Sequence, residues 1–487
     1  MGLFGQKSKL KAAPAVMRVE KVVIASKARP SLVPGNSTRA SSAHLSPMTS
    51  RSPNPRASRP KSSSPYPSSS DERRVERKRK AVTSTPRDSP AFGNDTDSDG
   101  DDDDDDPFLQ RKRMRLSDSR PVDLNRQVRH KKAFGDDVRR PDIIHAADIA
   151  SRATKCPAIP GAKDDEVAIK VQYPSRCARE RYELVWQKDK IDAIKDILAI
   201  IESVAETYLP DAESKAFIHH NTSFRRQMER AISEKYRDVS AFRAALDSYN
   251  KKLLELVENG TVAKTLDRIH HLPSSLVSLI LTQVYDRTVA PKVEMLTKYD
   301  AGSDNVYGEL LHPFVTKILV EQTKMTSDQV FIDLGSGVGN VVLQAALEIG
   351  CRSYGCEIME NACNLAEAQE KEFRSRCMLW GVAPGRVTLE RGDFRTNAKI
   401  MRKLKEADVI LVNNKAFTST LNDALINMFL DLKKGCKIIS LKSFVYDNKT
   451  AINDVATSIL EFEHFRYHEN WVSWTGSDGE YFISTRK

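Results

Sequence analysis

Tryptophan is absent from the first 160 residues of this 487-residue chain, and only five of its 34 aromatic residues lie there. The same stretch holds 16 of the 22 prolines. A segment so poor in core-forming side chains cannot offset the entropy of ordering, so residues 1–160 are expected to be disordered. No apolar run approaches the roughly 18–20 residues that span a bilayer, which excludes a transmembrane helix. Met1–Leu10 carries charges with no apolar stretch behind them, so no secretory leader is expected. Gln6 stands where a myristoylation motif wants Ser or Thr. The seven cysteines include no C-x-x-C pair, which points to reduced thiols instead of a disulfide framework or zinc site. The pairs His219-His220 and His270-His271 lack carboxylate or thiol partners at ligand spacing, so no metal is expected.

What is present is unevenly distributed. Residues 1–160 carry 32 basic and 20 acidic side chains, against 44 and 46 in residues 161–487. The surplus behind the formal charge of +10 therefore belongs to the tail, and the remainder is near neutral. Residues 28–90 form a Ser/Pro/Arg-rich linker with Ser-Pro or Thr-Pro steps at Ser46, Ser52, Ser64, Thr85 and Ser89. The clusters Arg77–Lys80 and Arg111–Arg115 read as nuclear localisation signals. Between them, Asp95–Asp106 is an acidic run that repels itself and stays extended, either as a spacer or as a histone contact. From Arg111 to Arg140 there are eleven Lys/Arg and four Asp, a sequence-independent grip on nucleic acid phosphates.

Residues 161–300 read as a small, mostly helical unit. Two short strands are expected at Val167–Val171 and Tyr182–Trp186. Helical periodicity then runs from Ile191 to Tyr208, from a Ser240 N-cap to Gly260, and from Pro273 to Val284. Residues 301–487 have an α/β pattern. The apolar run Val330–Leu334 leads into Gly335-Ser336-Gly337-Val338-Gly339-Asn340 and then a helix, the first turn of a doubly wound sheet. Further strands are expected at Arg352–Cys356, Val387–Glu390, Val409–Val412 and Lys437–Ser440, with a long helix over Asn361–Leu379 and an antiparallel edge hairpin at the end.

The glycine spacing is G-x-G-x-G, with Asn340 where a dinucleotide fold has its third glycine and with Asp333 ahead of the loop. An acid there suits a ligand with a positive group more than one with two phosphates, which favours S-adenosylmethionine. Glu357 at the next strand tip is placed to accept ribose hydroxyls. Asp393 and Phe394 are placed to take an adenine by its amine and its ring. A dehydrogenase would need the later glycine and a Tyr-x-x-x-Lys or His near the sheet's ends. A non-catalytic chromatin- or nucleic-acid-binding module would explain the tail but not the acids at strand tips.

In order along the chain come Tyr307-Gly308-Glu309-Leu310, the Asp333–Asn340 loop, Glu357, Glu390–Phe394, Asn413-Asn414-x-Ala416-Phe417 and Val472-Ser473-Trp474-Thr475-Gly476. Together they resemble the disruptor-of-telomeric-silencing (DOT-one) family, the histone lysine methyltransferases that lack a SET domain, over roughly residues 165–487. The basic tail resembles the fungal members. The resemblance implies a class I, Rossmann-like domain of seven strands and a nuclear enzyme acting in chromatin, telomeric silencing and the DNA-damage checkpoint. Its expected reaction methylates a lysine in the globular core of histone H3 from S-adenosylmethionine, without a metal; a methyltransferase with another nuclear substrate is the alternative. The expected partner is the nucleosome, through histone H3, through DNA held by the tail, and with a ubiquitinated neighbouring histone as a further candidate; the enzyme is expected to be a monomer. The same resemblance makes Tyr307, Gly308, Glu309 and Leu310 a loop over the donor. Asp333, Leu334, Gly335, Ser336, Gly337, Val338, Gly339 and Asn340 would cradle its methionine part, with Phe331 and Ile332 counted in the same site. Asn413, Phe417, Trp474 and Tyr481, with Tyr307, would line the lysine channel. Lys415 stands where relatives commonly have an aromatic.

Overall fold

The computed structural model describes residues 122–136, 141–297, 307–445 and 455–487. The Ser/Pro linker, both basic clusters and the acidic run lie outside the described residues. Strands β1 (Ala168–Val171) and β2 (Glu180–Glu183) form an antiparallel pair. Six helices follow: α1 (Ala193–Tyr208), α2 (Asp211–Ile218), α3 (Phe224–Ile232), α4 (Val239–Glu258), α5 (Thr261–Leu266) and α6 (Ser274–Thr288). Periodicity marks α1, α4 and α6, the three long ones. α4 is capped by Asp238, whose side chain accepts from Ala241 N, and not by Ser240. The short helices α2, α3 and α5 are too brief for a periodic stripe to announce them.

The second half alternates strand and helix. It comprises β3 (Val330–Leu334), α7 (Asn340–Gln344), β4 (Arg352–Glu357), α8 (Glu360–Leu379), β5 (Val387–Arg391), α9 (Ala398–Leu404), β6 (Val409–Val412), α10 (Ser419–Phe429), β7 (Lys437–Ser440), β8 (Leu460–Tyr467) and β9 (Gly479–Arg486). The seven strands lie in the order β5-β4-β3-β6-β7-β9-β8. The first five are parallel; β9 runs antiparallel to both β7 and β8. β3 and β6 are buried at every position, as parallel strands covered on both faces must be. The central strands point their C-terminal ends to one side, and that side carries the site.

One apolar core runs through the helical unit into the sheet's helices. It joins Ile200, Phe242, Leu253 and Ile280 to Leu347, Phe373 and Trp380. Trp380 is fully buried, edge-on to Tyr173, and its indole N–H donates to Gln283 Oε1 at 2.9 Å. At the centre, Glu180 of β2 is surrounded by Arg287 of α6 and Arg376 of α8, with Asp196 of α1 and the hydroxyls of Tyr173 and Tyr182. Every member is buried or nearly so and hydrogen-bonded, the condition under which buried charge is tolerated.

The boundary expected at residue 160 falls inside packed chain. Val128, Ala133, Ala146, Ala150 and Cys156 are buried. Residues 122–136 form a strap across the body: Ala383 N donates to Val128 O, His130 N to Gly381 O, and Arg129 pairs with Asp267 at 2.7 Å. Arg126 is 6% exposed and donates to Leu347 O. The strap is held by backbone hydrogen bonds and ion pairs, so its apolar content is low and composition does not reveal it. Among the described residues no helix is long and apolar enough to cross a membrane, and no group of three His, Cys, Asp or Glu is placed to hold a metal.

Candidate functional site

The C-terminal ends of β3 to β6 open onto a cavity of about 450 Å³. After β3 the chain turns through Gly335 and Gly337 at φ of +88° and +54°, a backbone that side chains disfavour. Gly335 N and Ser336 N donate to Cys356 O at 2.9 and 3.0 Å, which pins the loop to the tip of β4. A Cβ on Gly337 would lie 2.9 Å from Tyr307 Cε2, and one on Gly335 would face Phe417 Cζ at 3.7 Å. The loop therefore admits two aromatic rings where side chains would stand.

Three carboxylates line the cavity from successive strand tips. Asp333 is 3% exposed, and burial pushes its carboxyl up to about 8, with the Glu357 charge adding to the effect. An arriving cation would favour the ionised form of a carboxyl in that position. Glu357 accepts from Gly337 N through Oε2 at 2.9 Å, and from Ile358 N and Met359 N through Oε1 at 2.9 and 2.8 Å. It braces the glycine loop and the start of α8 while keeping lone pairs for a ligand. Asp393 is clamped by Arg395, with Nη2 2.6 Å from Oδ2 and Nε 3.0 Å from Oδ1, and this pairing holds its carboxyl below the usual range. Phe394 lies beside it in the wall.

The segment Tyr307–Leu310 closes one side. Leu310 bridges to Val472, Ser473 N donates to Glu309 O at 2.9 Å, and Glu309 N donates to Ser473 Oγ at 2.8 Å. Gly308 packs so closely on Trp474 that a Cβ would lie 2.6 Å from its ring. Burial raises the Glu309 carboxyl, while hydrogen bonds from Tyr307, Tyr285 and Asn340 oppose that rise.

At the tip of β6, Asn413 Nδ2 donates to Gly308 O at 3.1 Å, linking this strand to the Tyr307 segment. Asn414 is fully buried and its side chain makes four hydrogen bonds. Its Oδ1 accepts from Leu441 N (2.9 Å) and Lys442 N (2.8 Å), and its Nδ2 donates to Asn422 Oδ1 (3.1 Å) and Lys442 O (3.2 Å). The loop that carries Asn413 and Phe417 is thereby locked to the end of β7.

The structure thus brings Tyr307, Gly308, Glu309, Leu310, Asp333, Gly335, Ser336, Gly337, Val338, Asn340, Glu357, Asp393, Phe394, Asn413 and Phe417 around one cavity. Other expected residues fall elsewhere. Phe331, Ile332 and Leu334 are fully buried strand residues in the apolar layers, and Gly339 packs toward Leu389. Tyr481 is 1% exposed, packed against Phe314 and Phe465; it is a core residue, because β9 points it into the layer beneath the site. Trp474 braces Gly308 from behind, outside the cavity lining. Lys415 is exposed and not part of the lining. Sequence reasoning missed Val341, Ile358, Met359, Arg395, Leu411, Thr418 and Leu421. Ile358 had a signal: an apolar residue directly after the strand-tip acid, 52% exposed in the structure.

A parallel sheet continued by an antiparallel β9 and β8, with acids at successive strand tips around a glycine loop, defines a class I, Rossmann-like, S-adenosylmethionine-dependent methyltransferase. Residues 285–486 match the family model described as histone methylation protein DOT1. Over 433 residues the chain is 58% identical to the "Histone-lysine N-methyltransferase, H3 lysine-79 specific" of Gibberella zeae, covering 88% of this chain and 87% of that protein. The Aspergillus fumigatus protein of the same description is 48% identical over 387 residues, covering 78% and 76%. The solved RNA methyltransferase of Salinibacter ruber in complex with S-adenosyl-L-homocysteine is similar at 19% identity and a TM-score of 0.26, over 37% of this chain and 92% of its own. The chain belongs to the DOT1 family of histone methylation proteins and is a histone-lysine N-methyltransferase.

Proposed function

We propose that the enzyme methylates lysine 79, in the globular core of histone H3, within nucleosomes. The observation that carries this reading is the 58% identity, over 88% of this chain, to a relative described as H3 lysine-79 specific, and the wall that Asn413 and Phe417 form with the Tyr307 segment and the glycine loop is compatible with it. It is supported by relatives named for that residue. S-adenosylmethionine, when bound, supplies an electrophilic methyl group on a sulfonium. Asp333 would meet its α-amino group, Glu357 its ribose, and Asp393 with Phe394 its adenine. Asp393 would share its oxygens with Arg395, or exchange one for the ligand.

The residues at the acceptor end bind and orient. Methyl transfer is an in-line displacement by a neutral amine, so holding the amine in line supplies most of the rate gain. Phe417, Leu421 and the Tyr307 ring make an apolar wall that desolvates an entering ammonium and lowers its pKa. Asn413 fixes the position of the Tyr307 segment relative to that wall. No general base is assigned. The enzyme would act in the nucleus, with the tail contacting DNA and a ubiquitinated histone as a further contact. The test is transfer of labelled methyl to reconstituted nucleosomes, to free histone H3, and to nucleosomes carrying arginine at H3 position 79. Label on ordinary nucleosomes alone is expected; equal label on the arginine nucleosomes would overturn the assignment.

A further inference from the structure

Two lysines distant in sequence lie on the segments that hold Phe417 in the acceptor wall. Lys415 is exposed on the loop between Asn413 and Phe417. Lys442 is exposed just past β7, and its Nζ donates to Phe417 O at 3.3 Å. Phe417 itself forms the cavity wall. Among the described residues neither ammonium has a carboxylate within ion-pairing distance. Arg395, the other cation at the mouth, is occupied by Asp393.

This placement is costly for the reaction unless something offsets it. The acceptor is itself an ammonium until it loses its proton, and two like charges at the entrance slow its approach. The lysines are also held in register. Three side-chain hydrogen bonds from Asn414 to Leu441 and Lys442 lock their two segments together, and one of Lys442's three N–H donors is spent on Phe417 O, leaving two for a ligand. Exposed lysines without a carboxylate partner among the described residues, on the segments that hold a wall for an amine, fit a substrate that brings carboxylates of its own.

We propose that Lys415 and Lys442 read carboxylate side chains flanking the acceptor lysine, so that the recognised segment is acidic on either side of its target. The inference rests on the histone reading above and specifies the chemistry of the substrate at the same site. Docking of the flanking carboxylates neutralises the rim, and the acceptor amine then meets an entrance of balanced charge. The contacts are at a rim, so they act mainly on association and on salt dependence.

The test is a charge cycle on nucleosomes. Lys415→Gln, Lys442→Gln and the double variant are assayed on ordinary nucleosomes. They are then assayed on nucleosomes whose H3 carboxylates within three positions of the target lysine are changed to amides. Donor affinity is measured by calorimetry for each variant. The double variant is expected to lose roughly three- to tenfold in kcat/KM through a higher nucleosome KM, with donor affinity unchanged. Wild-type enzyme should lose a similar factor on the amide nucleosomes, and the double variant should lose little more there. Losses that simply multiply, or no loss on amide nucleosomes, would overturn the proposal. Absence of any wild-type transfer to ordinary nucleosomes would instead sink the histone reading itself.

Discussion

Arg376 on α8 and Glu180 on β2 meet at 2.5 Å with both side chains fully buried. The contact joins the sheet's longest helix to the small β-pair of the helical unit. Glu180→Ala would remove the anion that Arg376 and Arg287 share, leaving Arg376 only Glu372 and Arg287 only Asp196, a loss of roughly 3–5 kcal/mol. Burial raises the Glu180 carboxyl, but the two guanidiniums overcome that and hold it well below its ordinary 4.5. A depressed folded-state pKa means the stabilisation is complete above about pH 4.5 and lost as pH falls through the folded value. Denaturant titrations from pH 6 to pH 2 should show this steep acid loss in wild type and a much weaker one in the variant.

Gly337→Ala should strain the loop by about 1–2 kcal/mol through its left-handed backbone, and should also push the Tyr307 ring out of place. Donor affinity is expected to fall several-fold while the helical unit keeps its circular dichroism signal. Gly335→Arg, which fills the space facing Phe417, should abolish transfer altogether in a labelled-methyl assay.

Burial, with the Glu357 charge adding to it, pushes the Asp333 carboxyl up to about 8. Between its unfolded value of 3.8 and about 8 the folded protein holds this proton more tightly, so stability should decline as pH rises across that window. A cationic donor needs the ionised form, so its binding should release a proton below pH 8 and tighten as pH rises toward it. Calorimetry in buffers of different ionisation enthalpy measures that proton directly. Asp333→Asn should abolish the release and weaken binding; an unchanged proton count would remove Asp333 from the donor site.

Asn414→Asp keeps the side chain's size but replaces two donated hydrogen bonds by repulsion with Asn422 Oδ1 and Lys442 O. The acceptor wall should loosen while the donor pocket stays intact. The expected signature is a kcat reduced by about tenfold or more with donor affinity within twofold of wild type, since misplacement by an ångström is enough to disturb in-line attack.

The strap decides where the chain can be cut. A fragment of residues 122–487 should bind donor normally. One of residues 161–487 loses Val128, Ala133 and Cys156 from the core and should melt roughly 5 °C or more lower. Of the eleven cations between Arg111 and Arg140, Arg126 and Arg129 are already committed to the body. If the five upstream of residue 122 all meet phosphates, they account for a log–log salt slope of about −4.5, which the 122–487 fragment should lack. An unchanged slope would move the DNA contacts to the folded surface.

Much of this was legible because strand tips obey strong local rules. The apolar runs at β3, β6 and β7 and the glycine turn could be located almost to the residue, and with them Asp333, Glu357 and Asp393. What could not be read depends on side-chain direction. Tyr481 and Trp474 share an aromatic-rich stretch, yet the strand's alternation turns Tyr481 into the core and the β8–β9 connection sets Trp474 behind Gly308. The Arg395 clamp on Asp393 and the Glu180 network depend on groups that fold together from far apart. The strap was missed because it contributes few apolar atoms.

That strap also fixes where residue 122 meets the body. Asp123 accepts from Ser327 N ahead of β3, and Arg126 lies over Gly350 ahead of β4. Both positions are at the foot of strands whose other ends carry the cavity. Five residues of β3 place the two about 17 Å apart. The start of the strap and the reaction centre therefore lie at opposite ends of β3. A probe joined at residue 122 would therefore meet the body at the feet of the strands, about one strand length from the residues that line the cavity.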